Sequence, residues 1–365
     1  MNGISAKTGT DVIVVGAGIA GLTAAVCLQD AGLRVLILEG ATQIGGRVQY
    51  VPGDGPSDVW GDLGPTWVWP RWQPVVAQWM ERLALVPFAQ HEDGDAILDG
   101  FGGPPRRQRL AGQDGIVRLV DGPTAIVRAL HARLDPDHII TLAQVRVIET
   151  AGHNLRVSTA DNTVFQAPQV ILAAPLRLAA EQITIDGLPQ ALRDHMRDTP
   201  TWMAQQAKVV ALYPTPFWRD AGFSGRVASR DGPLVEIHDH TPAWGKIGAL
   251  FGFVGWDAAA RQADPDGLRQ AIIAQLVRCF GPQAATPLQI TVKDWAVDPL
   301  ICSAADLAGP PKHPEITPDM MREGQLGQRL WLAASETADR SPGLIEGALV
   351  AGETTAMRVR GQLGI

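Results

Sequence analysis

Gly16, Gly18 and Gly21 stand between a β-branched run, Asp11-Val-Ile-Val-Val15, and an apolar segment that begins at Leu22. The spacing suits a phosphate. Gly16 permits a tight turn, Gly18 lets the main chain at Ala17 and Gly18 approach a pyrophosphate, and Gly21 lets a helix pack close to the strand. The first-turn N–H groups and the helix dipole then face the anion. Glu39 follows Gly21 by 18 residues, at the end of a second apolar run. A carboxylate there accepts hydrogen bonds from a ribose 2′-hydroxyl and repels a 2′-phosphate, so the adenosine half of FAD or NAD is expected and NADP is disfavoured. Gly45-Gly46-Arg47 adds a guanidinium that can clamp a diphosphate, which an NAD site does not require. Lys208 opens an apolar run, and only five of the 31 basic residues are lysines. An ammonium is expensive to bury without partners, so this lysine is a candidate for chemistry, with a strand-end side chain that snorkels to solvent as the alternative.

The elements that must position these groups follow from pattern. Strand, glycine turn, helix over Leu22–Leu28, a stop at Gly32 and a second strand over Arg34–Leu38 make one βαβ unit. Residues 50–75, rich in Gly, Pro and Trp, read as long ordered loops. An amphipathic helix is expected within 113–134, antiparallel strands over 139–148, 154–158 and 163–166, and a buried strand over 169–174. Strand patterns recur between 201 and 254, a helix over 268–280, a strand over 330–334 and a final helix over 343–358. Residues 1–10 read as a loose polar tail.

Composition narrows the classes. The 365 residues exceed what one core usually supports, and 46% hydrophobic content excludes a disordered chain. A net charge of −7 without a basic cluster argues against nucleic acid. Cys27, Cys279 and Cys302 are odd in number and far apart, which suggests neither disulfides nor zinc and favours a reducing, cytoplasmic setting. The apolar run from Val12 to Leu28 holds three glycines and reads as strand and helix, not as a membrane span.

Together these motifs resemble the flavin-containing amine oxidase family, in its short bacterial type. Val14-Val-Gly-Ala-Gly-Ile-Ala-Gly-Leu22, Leu38-Glu39 and Gly45-Gly-Arg47 are similar to the family's N-terminal FAD signature. Asp62-Leu-Gly-Pro-Thr-Trp67 resembles the segment that passes the flavin ring. Ala334-Ser-Glu-Thr-Ala338, Ile345-Glu-Gly-Ala348 and Ala351-Gly-Glu353 resemble its C-terminal signature. The resemblance implies an α/β fold: a Rossmann-type FAD-binding domain (8–66, 116–200 and 296–365) with an inserted mixed-sheet substrate domain (67–115 and 201–295). It implies FAD contacts at Gly16, Ala17, Gly18, Gly21, Glu39, Gly46, Arg47, Gly64, Pro65, Thr66, Val145, Ser335, Glu336, Leu344 and Ile345. Substrate contacts are expected at Trp67, Trp69, His238 and Leu344. Lys208, ten residues before Trp218, is similar to the family lysine that holds a water beside flavin N5. The implied reaction is hydride transfer from an amine α-carbon to flavin N5, with reoxidation by O2 to hydrogen peroxide.

The departures matter too. Ala305 and Leu344 stand where animal monoamine oxidases carry two caging tyrosines. The position of their flavin-linking cysteine falls near Ala304, which makes non-covalent FAD the expectation. A carbon–carbon desaturase or an L-amino-acid oxidase of the same fold is the alternative, as is a flavin-binding protein without turnover. Glu236, His238, Asp239 and His240 read as pocket lining or a satisfied strand in preference to a metal site. Arg106, Arg107 and Arg109 read as a solvated basic patch in preference to a carboxylate clamp. Most of Trp60, Trp67, Trp69, Trp72 and Trp79 are expected to anchor loops. The expected partners are a small amine, O2 and a second copy of the chain, with no membrane.

Overall fold

The computed structural model describes residues 9–55, 58–245 and 247–365, so most of the expected N-terminal tail lies outside the described residues. β1 (Val12–Val15) leads through the glycine turn into α1 (Ile19–Gln29), and β2 (Val35–Leu38) pairs parallel with β1. All eight strand residues are buried, as a sheet covered on both faces requires. Gln169–Leu172 pairs on the other side of β1, and Leu330–Leu332 and Ile139–Ile140 complete a five-stranded parallel sheet. α1 is buried on nearly every side, between this sheet and the C-terminal helix Ile345–Leu363. The supposed membrane run is therefore a strand and a core helix. No helix among the described residues is long and apolar enough to cross a membrane.

A second sheet has seven strands in the order Gln289–Asp294, Ala207–Tyr213, Gly248–Val254, Leu234–Asp239, Phe223–Ser229, Asp95–Asp99 and Arg106–Gln108. Its pairs are antiparallel except for Phe223–Ser229 with Asp95–Asp99. Ala207–Tyr213 lies inside this sheet and is buried throughout. The helix Pro265–Phe280 packs on one face. On the other face Val210, Leu212, Ala249 and Phe251 meet Val51, Leu63, Trp60 and Trp67.

Two expectations need correction. Residues 50–75 are not all loop: Tyr50–Pro52 and Val59–Asp62 form a small antiparallel hairpin, and the helix Pro74–Arg82 begins there. The run 139–148 is not one strand. Ile139–Ile140 joins the parallel sheet, Leu142 turns the chain with φ of 58°, and Val145–Ala151 pairs antiparallel with Asn154–Thr159. Apolar periodicity continues through the break because both halves are core, so pattern alone could not see the change of sheet.

Candidate cofactor and substrate site

One cavity of about 960 Å³ runs from the glycine turn to the seven-stranded sheet. At its first end Gly16 takes φ of 104°, which an L side chain rarely adopts. A Cβ on Gly21 would stand 2.1 Å from the Gly16 carbonyl oxygen, so helix and turn touch there. A Cβ on Gly18, by contrast, would meet nothing within 4 Å. The main chain at Gly18 faces open space. α1 has no side-chain N-cap, which leaves its first N–H groups available for an anion.

Glu39 is buried at the end of β2. Its Oε2 accepts from the Ala17 N–H at 2.7 Å and its Oε1 from the Ala41 N–H at 2.7 Å. Each carboxylate oxygen keeps a further lone pair for a hydroxyl. Arg47 differs from expectation. Its Nη1 donates to Glu336 Oε1 at 2.7 Å and to the Trp202 carbonyl at 3.1 Å. Its Nη2 donates to Ser335 Oγ at 2.7 Å and Glu336 Oε2 at 3.1 Å. Both terminal nitrogens are thus occupied by protein, and the guanidinium brackets two distant chain segments on the cavity wall instead of standing free for a diphosphate. Burial would raise the Glu336 carboxyl, but the Arg47 charge and hydrogen bonds hold it below the ordinary range.

Gly16, Gly18, Glu39, Gly46, Arg47, Gly64, Pro65, Thr66, Val145, Ser335, Leu344 and Ile345 all line this cavity, with Trp67, Trp69 and Lys208. Ala17 and Gly21 lie just behind it, holding the turn, and Glu336 stands behind Arg47. His238 does not reach the wall. Its ring packs behind Trp67 (centroids 4.8 Å apart) and stacks on Phe251, because its strand residue faces the hairpin and not the cavity. Ala305 lines a separate, smaller cavity. Arg106, Arg107 and Arg109 are exposed, and Arg107 pairs with Asp95 at 2.9 Å.

Lys208 is 6% exposed. Its Nζ donates to the Gly64 carbonyl and lies 4.7 Å from the Phe253 ring centroid. Burial pushes it down to about 8, against the opposing pull of Asp62. Sequence reasoning missed Thr124, Phe253, Trp295 and Trp202, all on the cavity wall. Only Thr124, at the start of the amphipathic helix Thr124–His131, carried a local signal as a helix-start residue. The other three are placed by tertiary contacts.

The chemistry of this lining fits a flavin dinucleotide. Thr66 and Thr124, two residues of the cavity wall, carry buried hydroxyls with no hydrogen-bond partner among the described residues. Buried polar atoms are rarely left so unless a ligand or water completes them. Gly18 leaves the opening that a pyrophosphate needs. Cys302 does not line the cavity, and among the described residues no group of three His, Cys, Asp or Glu could hold a metal.

The profile of the flavin containing amine oxidoreductases matches residues 19–103 and 91–360. The chain belongs to this family. Among amine oxidoreductase relatives, the flavin-containing monoamine oxidase AofH of Mycobacterium tuberculosis is 28% identical over 96% of both chains. A flavin-containing monoamine oxidase A of Dictyostelium discoideum is 22% identical over 78% of this chain and 83% of its own. The fold is that of two solved amine oxidases. A putrescine oxidase triple mutant superposes with a TM-score of 0.80 at 20% identity, covering 97% of this chain and 99% of its own. Cyclohexylamine oxidase from Brevibacterium oxydans gives 0.81 at 18% identity, covering 98% and 100%. A flavin oxidoreductase with an α/β FAD-binding fold is therefore established for this chain.

Proposed function

We propose that the chain is an FAD-dependent oxidase of a small amine. The observation that carries this reading is the single cavity that joins the glycine turn and Glu39 at one end to Lys208 at the other. FAD, when bound, supplies the hydride acceptor at N5 for the amine α-carbon and the route of electrons to O2, giving hydrogen peroxide. The chain's part is binding, orientation and exclusion of water. Glu39 would hold the ribose, and the N–H groups at Gly18 and the start of α1 the pyrophosphate. Gly64, Pro65 and Thr66 would run along the ring. Lys208 gives one N–H to Gly64 and keeps two more, enough to hold a water at the reacting edge. Trp67, Trp69 and Leu344 would wall an apolar amine.

The same reading keeps FAD non-covalent, places the protein in the cytoplasm, takes it as a homodimer, and divides the chain into the discontinuous FAD-binding and substrate domains set out above. The amino-acid oxidase alternative loses its support, since the Arg106–Arg109 patch is exposed and Arg47 is paired with Glu336. A carbon–carbon desaturase keeps one specific observation in its favour: Leu344, not a tyrosine, lines the cavity.

The test is direct. The purified protein should be yellow, should bleach with an amine under anaerobic conditions, and should release peroxide and ammonia or amine in air. Bleaching by an apolar substrate without nitrogen release would transfer the assignment to the desaturase.

A further inference from the structure

Asp62 ends the strand Val59–Asp62, two residues before Gly64. Three side chains hold the main chain here. His240 Nε2 accepts the Asp62 N–H at 2.8 Å, Trp295 Nε1 donates to the Leu63 carbonyl at 2.9 Å, and Lys208 Nζ donates to the Gly64 carbonyl. The Asp62 carboxylate is in a different situation. It is 2% exposed, and neither oxygen accepts a hydrogen bond among the described residues. It presses against Gly122, where a Cβ would lie 2.1 Å from Oδ1. His240 Nε2 is 3.2 Å from Oδ2 but is already the acceptor for the Asp62 N–H. Burial and the Arg118 charge push that imidazole down to about 4, so it is neutral and brings no countercharge.

A buried carboxylate without donors stays charged only where cations at longer range balance it. Two cations act on it. Arg118 is buried with its Nη atoms on the Thr241 and His240 carbonyls at 2.8 and 3.0 Å. Lys208 is the other. Around the lysine, Gly248–Val254 contributes only the rings of Phe251 and Phe253, 5.3 and 4.7 Å from Nζ. On the neighbouring strand Lys293 stands opposite Lys208, and its ammonium is taken by Asp298 at 2.9 Å. Among the described residues Asp62 is thus a carboxylate whose charge Lys208 shares with Arg118.

We propose that Asp62 is the positioning residue for Lys208, its buried carboxylate keeping the lysine an ammonium and so a donor to the Gly64 carbonyl and to the water at the cavity wall. The importance of this for turnover rests on the amine-oxidase reading, but the electrostatic link does not. Burial lowers the lysine and Asp62 opposes that effect, which agrees with the geometry.

The chain has five lysines, so ε-¹³C-lysine NMR of the flavin-loaded protein can follow Lys208, identified by the signal lost in Lys208→Arg. Asp62→Asn keeps the shape and the N–H to His240 while removing the charge. It should lower the Lys208 midpoint by about one to three units. The pH profile of anaerobic flavin bleaching should move by the same amount. An unchanged midpoint in a folded Asp62→Asn protein overturns the proposal. Should Asp62→Asn fail to fold, adding Lys208→Met should restore folding, because no ammonium is then buried without its countercharge. A double variant as insoluble as the single also overturns it. If no amine bleaches the flavin, the functional reading fails while the NMR midpoint still decides this one.

Discussion

Arg47 and Glu336, 289 residues apart in the chain, form a two-pronged ion pair at 2.7 and 3.1 Å on the wall of the large cavity. The Glu336 side chain is 1% exposed and that of Arg47 25%. The pair ties the segment after β2 to the turn before the C-terminal helix.

Breaking that pair leaves a charge buried alone. Arg47→Ala, which strands the Glu336 carboxylate, should therefore cost roughly 3–5 kcal/mol in denaturant unfolding at pH 7. The Glu336 carboxyl lies lower in the folded state than its unfolded value near 4.5, so its contribution is present above that pH and is lost as the pH falls through the lower, folded value. The wild-type acid limb should accordingly be steeper than that of Glu336→Gln. Parallel acid limbs would mean that the pair contributes nothing to stability.

Gly18 and Gly21 should fail in opposite ways. Gly18→Val extends a side chain into open space, so the protein should fold with near wild-type stability yet purify without flavin. Gly21→Ala places a methyl against the Gly16 carbonyl and should lower stability by about 1–3 kcal/mol. Absorbance near 450 nm and a urea melt of each variant check both statements. Retention of full flavin by Gly18→Val would remove the pyrophosphate from this turn.

On the proposed function, Lys208 would trade stability for reactivity. Its folded value, about 8, lies below the unfolded 10.5, so the burial penalty is complete below pH 8 and fades as the pH climbs from 8 to 10.5. Lys208→Met should gain at most about 3 kcal/mol at pH 7, less what the buried Asp62 carboxylate loses with one of its two countercharges. The same variant should slow turnover on the order of 100-fold, as the loss of a positioned donor does. A variant both slower and less stable would show that the contact with Gly64 is chiefly structural.

The flavin should leave with acid. Burial pushes the Cys302 thiol up to about 12, and that residue does not line the cavity. Trichloroacetic acid precipitation should give a colourless pellet and a yellow supernatant. A yellow pellet points to a covalent link.

Turnover should also rise with pH, because hydride loss requires the neutral amine. Single-turnover bleaching that stays flat between pH 6 and 9 would argue against that chemistry.

Local sequence determined the opening βαβ unit of this protein. Its strands, three glycines and Glu39 lie within 28 residues, and their placement follows from spacing, because strand, turn and helix leave the chain few alternatives there. Lys208 was legible as well, since an ammonium at the head of an apolar strand demands an explanation. What only the tertiary structure decided is which charges meet. Arg47 could not be assigned to Glu336 from spacing, because the two lie 289 residues apart and meet only in the fold. His238 and His240 show the limit most sharply: two residues apart in the chain, one ring stacks on Phe251 and the other accepts the Asp62 N–H. Burial and the approach of a second chain segment set those fates, and neither is a property of local sequence.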